Sequence, residues 1–187
     1  MKAAFLVGVA GDDDNATTTH SLRTSSLATP KRACAQMNED TLNNALARAE
    51  SLCAERGVRL TAQRRRVLEL VCRAERPVGA YEILDHIRDG GTAAPPTVYR
   101  ALDWLLAQGL VHKLETLHAY VGCTHPEHPH VSQFLICDGC GGVTELEDAA
   151  IAGSLASVAS ETGFRPTRPI VEVIGTCSLC ATKRGTD

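Results

Sequence analysis

The chain has 187 residues, of which 44% are hydrophobic, and a formal net charge of −3 at pH 7. This length allows one medium-sized domain or two small ones, and the net charge does not by itself indicate a nucleic-acid binder. Basic residues are uneven, however: residues 41–112 carry ten arginines against eight acids, whereas residues 113–187 carry five basic residues against nine acids. No apolar run approaches the about 20 residues that span a bilayer. We therefore expect a soluble, cytoplasmic protein without a membrane partner, whose two halves have different roles.

Residues 1–36 differ in composition from the rest of the chain. A short apolar stretch at 3–10 is followed by the acidic run Asp12-Asp13-Asp14 and by a Thr/Ser-rich tract that ends at Pro30. A secretory signal is a poor match, because this apolar stretch is at the lower end of the usual range of about 7–15 residues and the acidic run stands where small residues would form a cleavage site. We expect 1–36 to be a disordered leader, or an over-extended start upstream of Met37.

Four helices are predicted in the first half. Apolar residues recur at helical spacing from Thr41 until Gly57, and Thr61 is a typical N-cap for the second helix. Pro77-Val78-Gly79 is predicted as a break, and Pro95-Pro96 as the start of the last helix. The predicted helices are 41–56, 62–76, 80–87 and 97–108.

A β-hairpin is predicted directly after the fourth helix, with strands at 110–115 and 119–121. Short helices followed by a hairpin are the outline of a winged helix, in which the last helix enters the DNA major groove. We therefore predict a winged-helix DNA-binding domain at 37–121, with a hinge near 112–122. Val98, Leu102 and Leu105 of the fourth helix are expected in the core, which leaves Thr97, Tyr99, Arg100 and Asp103 facing outward.

The second half is predicted to be a small α/β dimerisation domain at 123–187. It has strands near 134–136 and 170–174, with an amphipathic helix at 147–162 between them. A unit of this size has little core and an exposed strand edge, so zinc binding and dimerisation are its usual means of stabilisation. The predicted fold class is thus α+β.

This half contains two C-x-x-C motifs, C-D-G-C at 137–140 and C-S-L-C at 177–180. Four thiolates at this spacing suit a tetrahedral structural zinc ion, because each motif presents two sulfurs on one side of a tight turn. A thioredoxin-type redox pair would open a helix in a βαβ unit, which neither motif does, and disulfides would require an export signal. The predicted ligands are Cys137, Cys140, Cys177 and Cys180.

The chain resembles the ferric uptake regulator family, and within it the zinc uptake regulator branch. The resemblance rests on Pro96-Thr97-Val98-Tyr99-Arg100-Ala101-Leu102, on Leu60-Thr61-Ala62-Gln63-Arg64 and on the first cysteine motif after Phe134-Leu135-Ile136. It covers about residues 40–180. It implies a dimeric, zinc-responsive repressor that binds palindromic operator DNA, represses zinc uptake genes and holds two zinc ions per monomer.

The resemblance also implies a second, regulatory zinc site. Its ligands correspond to His112, Cys123, His130 and Glu145, a set that can complete a closed tetrahedral shell. The thiolate favours zinc over ferrous iron. The loop between Cys123 and His130 is a residue shorter than the family pattern, so His128 or His125 can take the place of His130.

DNA contacts follow from the same resemblance. It assigns Arg100 and Tyr81 to bases and Tyr99 to the phosphate backbone, with Thr97 beside them. Arg64 and Arg65 are expected to position the helices against phosphate.

Two other functions remain open. One is an iron, nickel or peroxide sensor on the same fold, and the other is a non-catalytic zinc-scaffold interaction protein. An enzyme is not expected, because the chain has no H-E-x-x-H, nucleophile elbow or phosphate loop, and both metal sites would be saturated by protein ligands. No small-molecule substrate is therefore predicted.

Overall fold

A computed structural model describes residues 38–88, 94–128 and 130–184, so the predicted leader lies outside the described residues, as does Gly90-Gly91, for which the sequence predicts a loose connection before the fourth helix. The predicted mixture of helices and strands is confirmed. Within the described part of the chain, no helix is long and apolar enough to cross a membrane. In chain order the elements are α1 (Glu39–Glu55), α2 (Ala62–Arg73), β1 (Val78–Gly79), α3 (Ala80–Arg88), α4 (Pro95–Ala107), β2 (Val111–Leu114), β3 (Ala119–Gly122), β4 (Ser132–Cys137), β5 (Val143–Leu146), α5 (Ala149–Glu161), β6 (Ile170–Gly175) and α6 (Ser178–Arg184).

Local sequence signals set the helix ends. Asn38 caps α1 by accepting a hydrogen bond from the backbone N–H of Thr41 at 2.8 Å, so this helix begins two residues before its predicted start. Thr61 caps α2, as predicted. Gly57 and Gly109 follow α1 and α4 with φ of +66° and +67°, a left-handed conformation that glycine adopts without strain.

The first sheet has the order β1-β3-β2, with all strands antiparallel. β2 and β3 are the predicted hairpin. The predicted break at Pro77-Val78-Gly79 between α2 and α3 is confirmed, but the strand within it was not predicted: Val78 pairs with Tyr120 and Gly79 pairs with Ala119. This short third strand ties the start of α3 to the hairpin.

The second sheet has the order β5-β4-β6, in which β4 runs antiparallel to β5 and parallel to β6. β5 and α6 were not predicted, and α5 is slightly shorter than predicted. Asp148 caps α5 by accepting hydrogen bonds from the backbone of Ala150 and Ile151 at 2.8 and 3.0 Å. β5 places one side chain of the candidate site, and α6 carries the last cysteine.

Two hydrophobic cores lie on either side of the hairpin. The first joins α1–α4 to the hairpin, whereas the second joins two hairpin residues to β4 and β5. The hairpin is therefore shared between the halves of the molecule. Fully buried members of the first core include Leu46, Val67, Ile83, Leu102 and Leu105; the second core consists of Leu114, Val121, Phe134, Ile136 and Val143.

Polar contacts also tie the hairpin to the second sheet. The carboxylate of Glu172 on β6 accepts hydrogen bonds from the backbone N–H groups of Glu115 and Thr116, at 2.6 and 3.0 Å. Glu115 in turn pairs with Lys113 and Arg168. These contacts fix the turn of the hairpin against the edge of the second sheet.

Candidate metal centres and nucleic-acid interface

Four side chains with metal-binding atoms meet where the hairpin joins the second sheet. His112 lies on β2, Cys123 follows β3, His130 precedes β4 and Glu145 lies on β5. One ligand atom from each lies within 4.8 Å of those of the other three. We call this group the hinge cluster.

The distances within the hinge cluster have the size of a metal coordination shell. His112 Nε2 lies 3.3 Å from His130 Nε2 and 2.8 Å from Glu145 Oε1, and His130 Nε2 lies 3.0 Å from the same oxygen. Cys123 Sγ lies 3.7 Å from His130 Nε2 and 3.9 Å from Glu145 Oε1. Zinc bonds to nitrogen, oxygen and sulfur would give tetrahedral edges of roughly 3.3–3.6 Å. The residues present therefore fit a closed zinc shell.

Both histidines are held by their other ring nitrogen. His112 Nδ1 lies 2.9 Å from the hydroxyl of Ser132, and His130 Nδ1 donates to the backbone carbonyl of His128 at 3.0 Å. Such partners fix the ring orientation and leave Nε2 for a metal. The sequence analysis missed Ser132 and the His128 carbonyl, because their position depends on the fold rather than on any motif.

Glu145 is a buried carboxylate, only 8% exposed. Its burial opposes ionisation, but hydrogen bonds from His112 and from the backbone and hydroxyl of Thr124 outweigh it and lower its pKa to about 2. Burial, with the nearby charge of Glu145, raises the pKa of Cys123 to about 12. In the metal-free cluster the carboxylate is therefore ionised and the thiol protonated at neutral pH, so metal binding at Cys123 must release a proton.

Of the three loop histidines, the structure brings His130 into the hinge cluster. His125 and His128 lie outside it, with their rings 6.4 Å apart and nearly parallel at 14°. His128 is the nearer, with its ring centroid 5.7 Å from that of His130. The shorter loop thus still carries His130 to Glu145.

The four cysteines of the two C-x-x-C motifs form a second cluster, which we call the knuckle cluster. Cys137 ends β4 and Cys140 lies in the turn after it, while Cys177 directly precedes α6 and Cys180 lies in its first turn. Cys140 Sγ is 3.8 Å from Cys177 Sγ, close to the about 3.8 Å edge of a tetrahedron with zinc–sulfur bonds of about 2.3 Å. None of the four is joined in a disulfide in the structure.

Backbone N–H groups point at the first sulfur of the knuckle cluster. Hydrogen bonds from the backbone of Cys177, then of Cys140 and Gly139, lower the pKa of Cys137 to about 6. The Cys177 N–H donates to Cys137 Sγ at 3.3 Å. A Cβ at Gly142 would lie 3.2 Å from Cys140 Sγ, so a larger residue there would crowd this sulfur. The backbone N–H groups thus stabilise the thiolate of Cys137, whereas the side-chain hydrogen bond with Cys177 raises the pKa of Cys180 to about 12.

The N-terminal end of α4 is an exposed polar surface. Tyr81 of α3 and Tyr99 of α4 are 69% and 39% exposed, and their rings meet edge to face at 6.4 Å. Arg100 is exposed beside them, and among the described residues no ion pair or hydrogen bond occupies its guanidinium group. Thr97 lies in the first turn of α4, half-buried. A ligand can therefore bind these exposed side chains without breaking an ion pair or hydrogen bond of Arg100.

Arg64 and Arg65 differ from Arg100 because both have protein partners. The guanidinium carbon of Arg64 lies 4.0 Å from the ring centroid of Trp104, and Arg64 Nη1 donates to the carbonyl of Arg59 at 2.8 Å. Arg65 Nε donates to Glu50 at 2.7 Å. Both therefore tie α2 to its neighbours, and their phosphate contacts stay predictions.

The family assignment follows from the sequence comparison. The family model described as "Ferric uptake regulator family" matches residues 55–174, which include the hinge cluster and the first cysteine motif. The chain belongs to the ferric uptake regulator family.

Within the ferric uptake regulator family, the similar relatives include zinc regulators. The chain is 42% identical over 146 residues to the "Zinc uptake regulation protein" of Escherichia coli (strain K12), which covers 77% of this chain and 85% of that protein. It is 34% identical over 131 residues to the "Zinc uptake regulation protein" of Mycobacterium tuberculosis, covering 66% of this chain and 95% of that protein. A "Ferric uptake regulation protein" of Campylobacter jejuni is 26% identical over 141 residues, covering 72% of this chain and 87% of that protein.

Solved structures of the family share the fold. A chain of the "Zinc Uptake Regulator Complexed With Zinc AND DNA" superposes with a TM-score of 0.74 at 41% identity, covering 78% of this chain and 98% of that one. The crystal structure of holo XcZur gives a TM-score of 0.71 at 48% identity, covering 75% of this chain and 99% of that one. The predicted two-part architecture is confirmed by these neighbours.

Proposed function

We propose that this chain is a zinc-responsive transcriptional repressor, which binds palindromic operator DNA as a homodimer when zinc is bound and represses zinc uptake genes. The hinge cluster carries this proposal, because its ligands come from both sides of the junction between the hairpin and the second sheet. The similarity to zinc uptake regulation proteins supports it. The family consists of transcription regulators, so an enzyme is not proposed.

The position of His112 explains how metal binding is coupled to DNA binding. His112 lies five residues after the end of α4, on the strand that leads away from it. Cys123 is fixed to the same region, because its N–H donates to the carbonyl of Leu110 at 3.1 Å. Zinc bound at the hinge cluster would join these residues to Glu145 of the second sheet, and so fix α4 relative to the dimerisation half.

The size of the coupling is modest. If the bound metal favours the DNA-binding geometry over other arrangements, a hundredfold gain in operator affinity needs about 2.7 kcal/mol of differential affinity. By linkage, operator DNA then raises the metal affinity by the same factor. This difference in metal affinity can arise if each of the four metal–ligand bonds is weaker when the two sides of the hinge cluster are displaced.

Cys123 favours zinc over the metals of the sister sensors. A thiolate selects zinc, whereas nitrogen and oxygen ligands suit ferrous iron. No comparable ligand preference favours the alternative on this fold, an iron, nickel or peroxide sensor. We further propose two zinc ions per chain, one regulatory ion at the hinge cluster and one structural ion at the knuckle cluster.

The dimerisation half, which we propose to span 123–187 beyond a DNA-binding domain at 37–121, has an uncovered apolar face. Leu135 and Val173 are register partners on β4 and β6 and are 45% and 51% exposed. On α5 only Ala159 is buried, while Leu155 and Val158 remain 43% and 58% exposed. A second copy would cover this face, and a two-fold dimer places its two α4 helices about 34 Å apart, one turn of DNA. A regulator of this kind acts in the cytoplasm, where the chromosome lies.

Selection of genomic DNA fragments by the purified protein tests the proposed function. The protein would be incubated with fragments at buffered free zinc, with ferrous iron and with chelator in parallel, and the retained fragments sequenced. We expect enrichment of a palindromic site near metal-transport genes with zinc alone. Enrichment with iron alone would place the protein among the iron sensors, and no enrichment under any condition would favour a zinc scaffold.

Arg100→Ala is expected to weaken binding to the selected site by about 1–3 kcal/mol, because arginine can bind guanine through two hydrogen bonds. Zinc content should not change, since Arg100 lies on α4, away from both metal clusters. Fluorescence anisotropy with the selected fragment and with random DNA measures both affinities. Arg165→Ala, at an exposed position in the other half, is the charge-matched control. An equal loss on random DNA would remove Arg100 from base recognition.

A further inference from the structure

Arg56 joins the end of α4 to the segment that carries two ligands of the hinge cluster. It is the C-cap residue of α1, and its guanidinium group has two partners that are far apart in the chain. Nη1 donates to the carbonyl of Gln108 at 2.5 Å, and Nη2 donates to the carbonyl of Pro126 at 2.6 Å. We call these two hydrogen bonds the arginine bridge. One side chain thus contacts both the end of α4 and the segment between Cys123 and His130.

The first partner of the arginine bridge lies at the C-terminal end of α4. Gln108 directly follows the last residue of this helix, where backbone carbonyls have no partner within the helix. Gly109 turns the chain away with φ of +67°. A cation at this end also interacts favourably with the helix dipole. Arg56 therefore satisfies a helix-end carbonyl and places a positive charge beside it.

The second partner lies in residues 124–128, which we call the ligand loop. The ligand loop is bonded to two members of the hinge cluster. Thr124 donates from its backbone N–H and its hydroxyl to Glu145 Oε2 at 2.8 and 2.7 Å, and the His128 carbonyl accepts from His130 Nδ1 at 3.0 Å. A metal that fixes Glu145 and His130 would therefore also fix the ligand loop, and with it the carbonyl of Pro126.

Packed side chains do not replace the arginine bridge at this point. Arg56, Gln108 and Pro126 line a cavity of about 660 Å³, which His112 and His130 also line. Among the described residues, the space between the end of α4 and the ligand loop is thus open rather than filled by a core. A displacement of the ligand loop would reach α4 here through the two hydrogen bonds of Arg56.

We infer that Arg56 is a positioning residue, which transmits zinc binding at the hinge cluster to α4. The inference rests on the proposed function, since it assumes that zinc at the hinge cluster raises operator affinity. When the metal holds the ligand loop, the Pro126 carbonyl binds one arm of the planar guanidinium group and so directs the other arm to Gln108. Lysine cannot do the same, because its ammonium group has no rigid fork of donors.

Arg56→Ala tests the arginine bridge through the zinc-dependent gain in operator affinity. Fluorescence anisotropy with the full chain and the selected palindromic fragment measures affinity at buffered free zinc, and with a chelator that empties the hinge cluster alone. We expect an unchanged affinity without zinc. The gain should fall from about a hundredfold to about tenfold, because one hydrogen bond of a charged group contributes about a factor of ten. Arg56→Lys should show the same loss.

The zinc affinity provides an independent readout. By linkage, operator DNA should raise the zinc affinity of the hinge cluster about tenfold less in Arg56→Ala than in the wild type. Competition with a zinc-binding dye, with and without the operator fragment, measures this difference. Metal analysis should still find the wild-type zinc content, since Arg56 is not a member of either metal cluster.

Arg48→Ala is the matched control. Arg48 lies on the same helix and pairs with Glu127 of the ligand loop, but among the described residues no hydrogen bond or ion pair joins it to α4. Both side chains are exposed, and exposed ion pairs contribute little, so this variant should keep the full gain.

Three results would overturn the role of Arg56 and leave the proposed function standing. They are a full zinc-dependent gain in Arg56→Ala or Arg56→Lys, an equal loss of affinity with and without zinc, and a loss in Arg48→Ala as large as that in Arg56→Ala. The second would indicate a role in the stability of the DNA-binding half alone. A wild type without any zinc-dependent gain would overturn the proposed function as well.

Discussion

Serine in place of Cys137 and Cys177 is expected to unfold the half of the chain that contains the second sheet. Among the described residues its core cluster consists of five buried side chains, two of which belong to the hairpin, and α5 buries only Ala159. Structural zinc contributes about 10–16 kcal/mol of apparent binding free energy in small domains, as much as the whole stability of an ordinary domain. Hydrogen–deuterium exchange should show loss of amide protection across 132–175, with loss of one zinc ion per chain.

The first half should survive this change, because α1–α4 have a separate core. Amides of α1, α2 and α4 are therefore expected to stay protected in the double variant. Cys72→Ala is the control, since Cys72 is a half-buried thiol outside both metal clusters. A double variant that kept the protection of β4 and β6 would show that the knuckle cluster is not needed for stability.

The sequence predicted the elements whose own residues carry a pattern. Thr61, Gly57 and Gly109 mark helix ends through local hydrogen bonds and backbone conformation, so α1, α2 and α4 were found. β1 was missed because a two-residue strand after Pro77 is set by its pairing with β3 rather than by its composition.

β5 was missed for a functional reason. Val143 and Glu145 are its buried positions, and a buried carboxylate hides the apolar alternation that identifies a strand. Only the fold explains this exception, by bringing His112 and His130 to the carboxylate. At functional sites, a mismatch between the sequence pattern of a segment and its secondary structure is expected.

The sequence identified the ligands of the candidate site but not the groups that orient them. The resemblance implied the four members of the hinge cluster, and the structure brings them together. Ser132, Thr124 and the His128 carbonyl orient those ligands only because β4 and β5 have a particular register. The Arg64–Trp104 contact likewise required the packing of α2 against α4.

Cys123→Ser is expected to abolish the response of DNA binding to zinc. A serine hydroxyl does not give up its proton at neutral pH and cannot replace a thiolate ligand, so the hinge cluster keeps three ligands and loses the one that favours zinc. The knuckle cluster is untouched, and we expect a folded dimer with one zinc ion per chain. Size-exclusion chromatography with metal analysis checks that state, with Cys72→Ala again as the control.

Operator affinity as a function of buffered free zinc, compared between the wild type and Cys123→Ser, tests the central claim most directly. Fluorescence anisotropy on the selected palindromic fragment provides the affinities. For the wild type and Cys72→Ala we predict a zinc-dependent gain on the order of a hundredfold, within the usual range of coupling free energies. For Cys123→Ser we predict no gain at any zinc concentration. A Cys123→Ser protein with the full zinc-dependent gain would contradict the assignment of the hinge cluster as the zinc sensor.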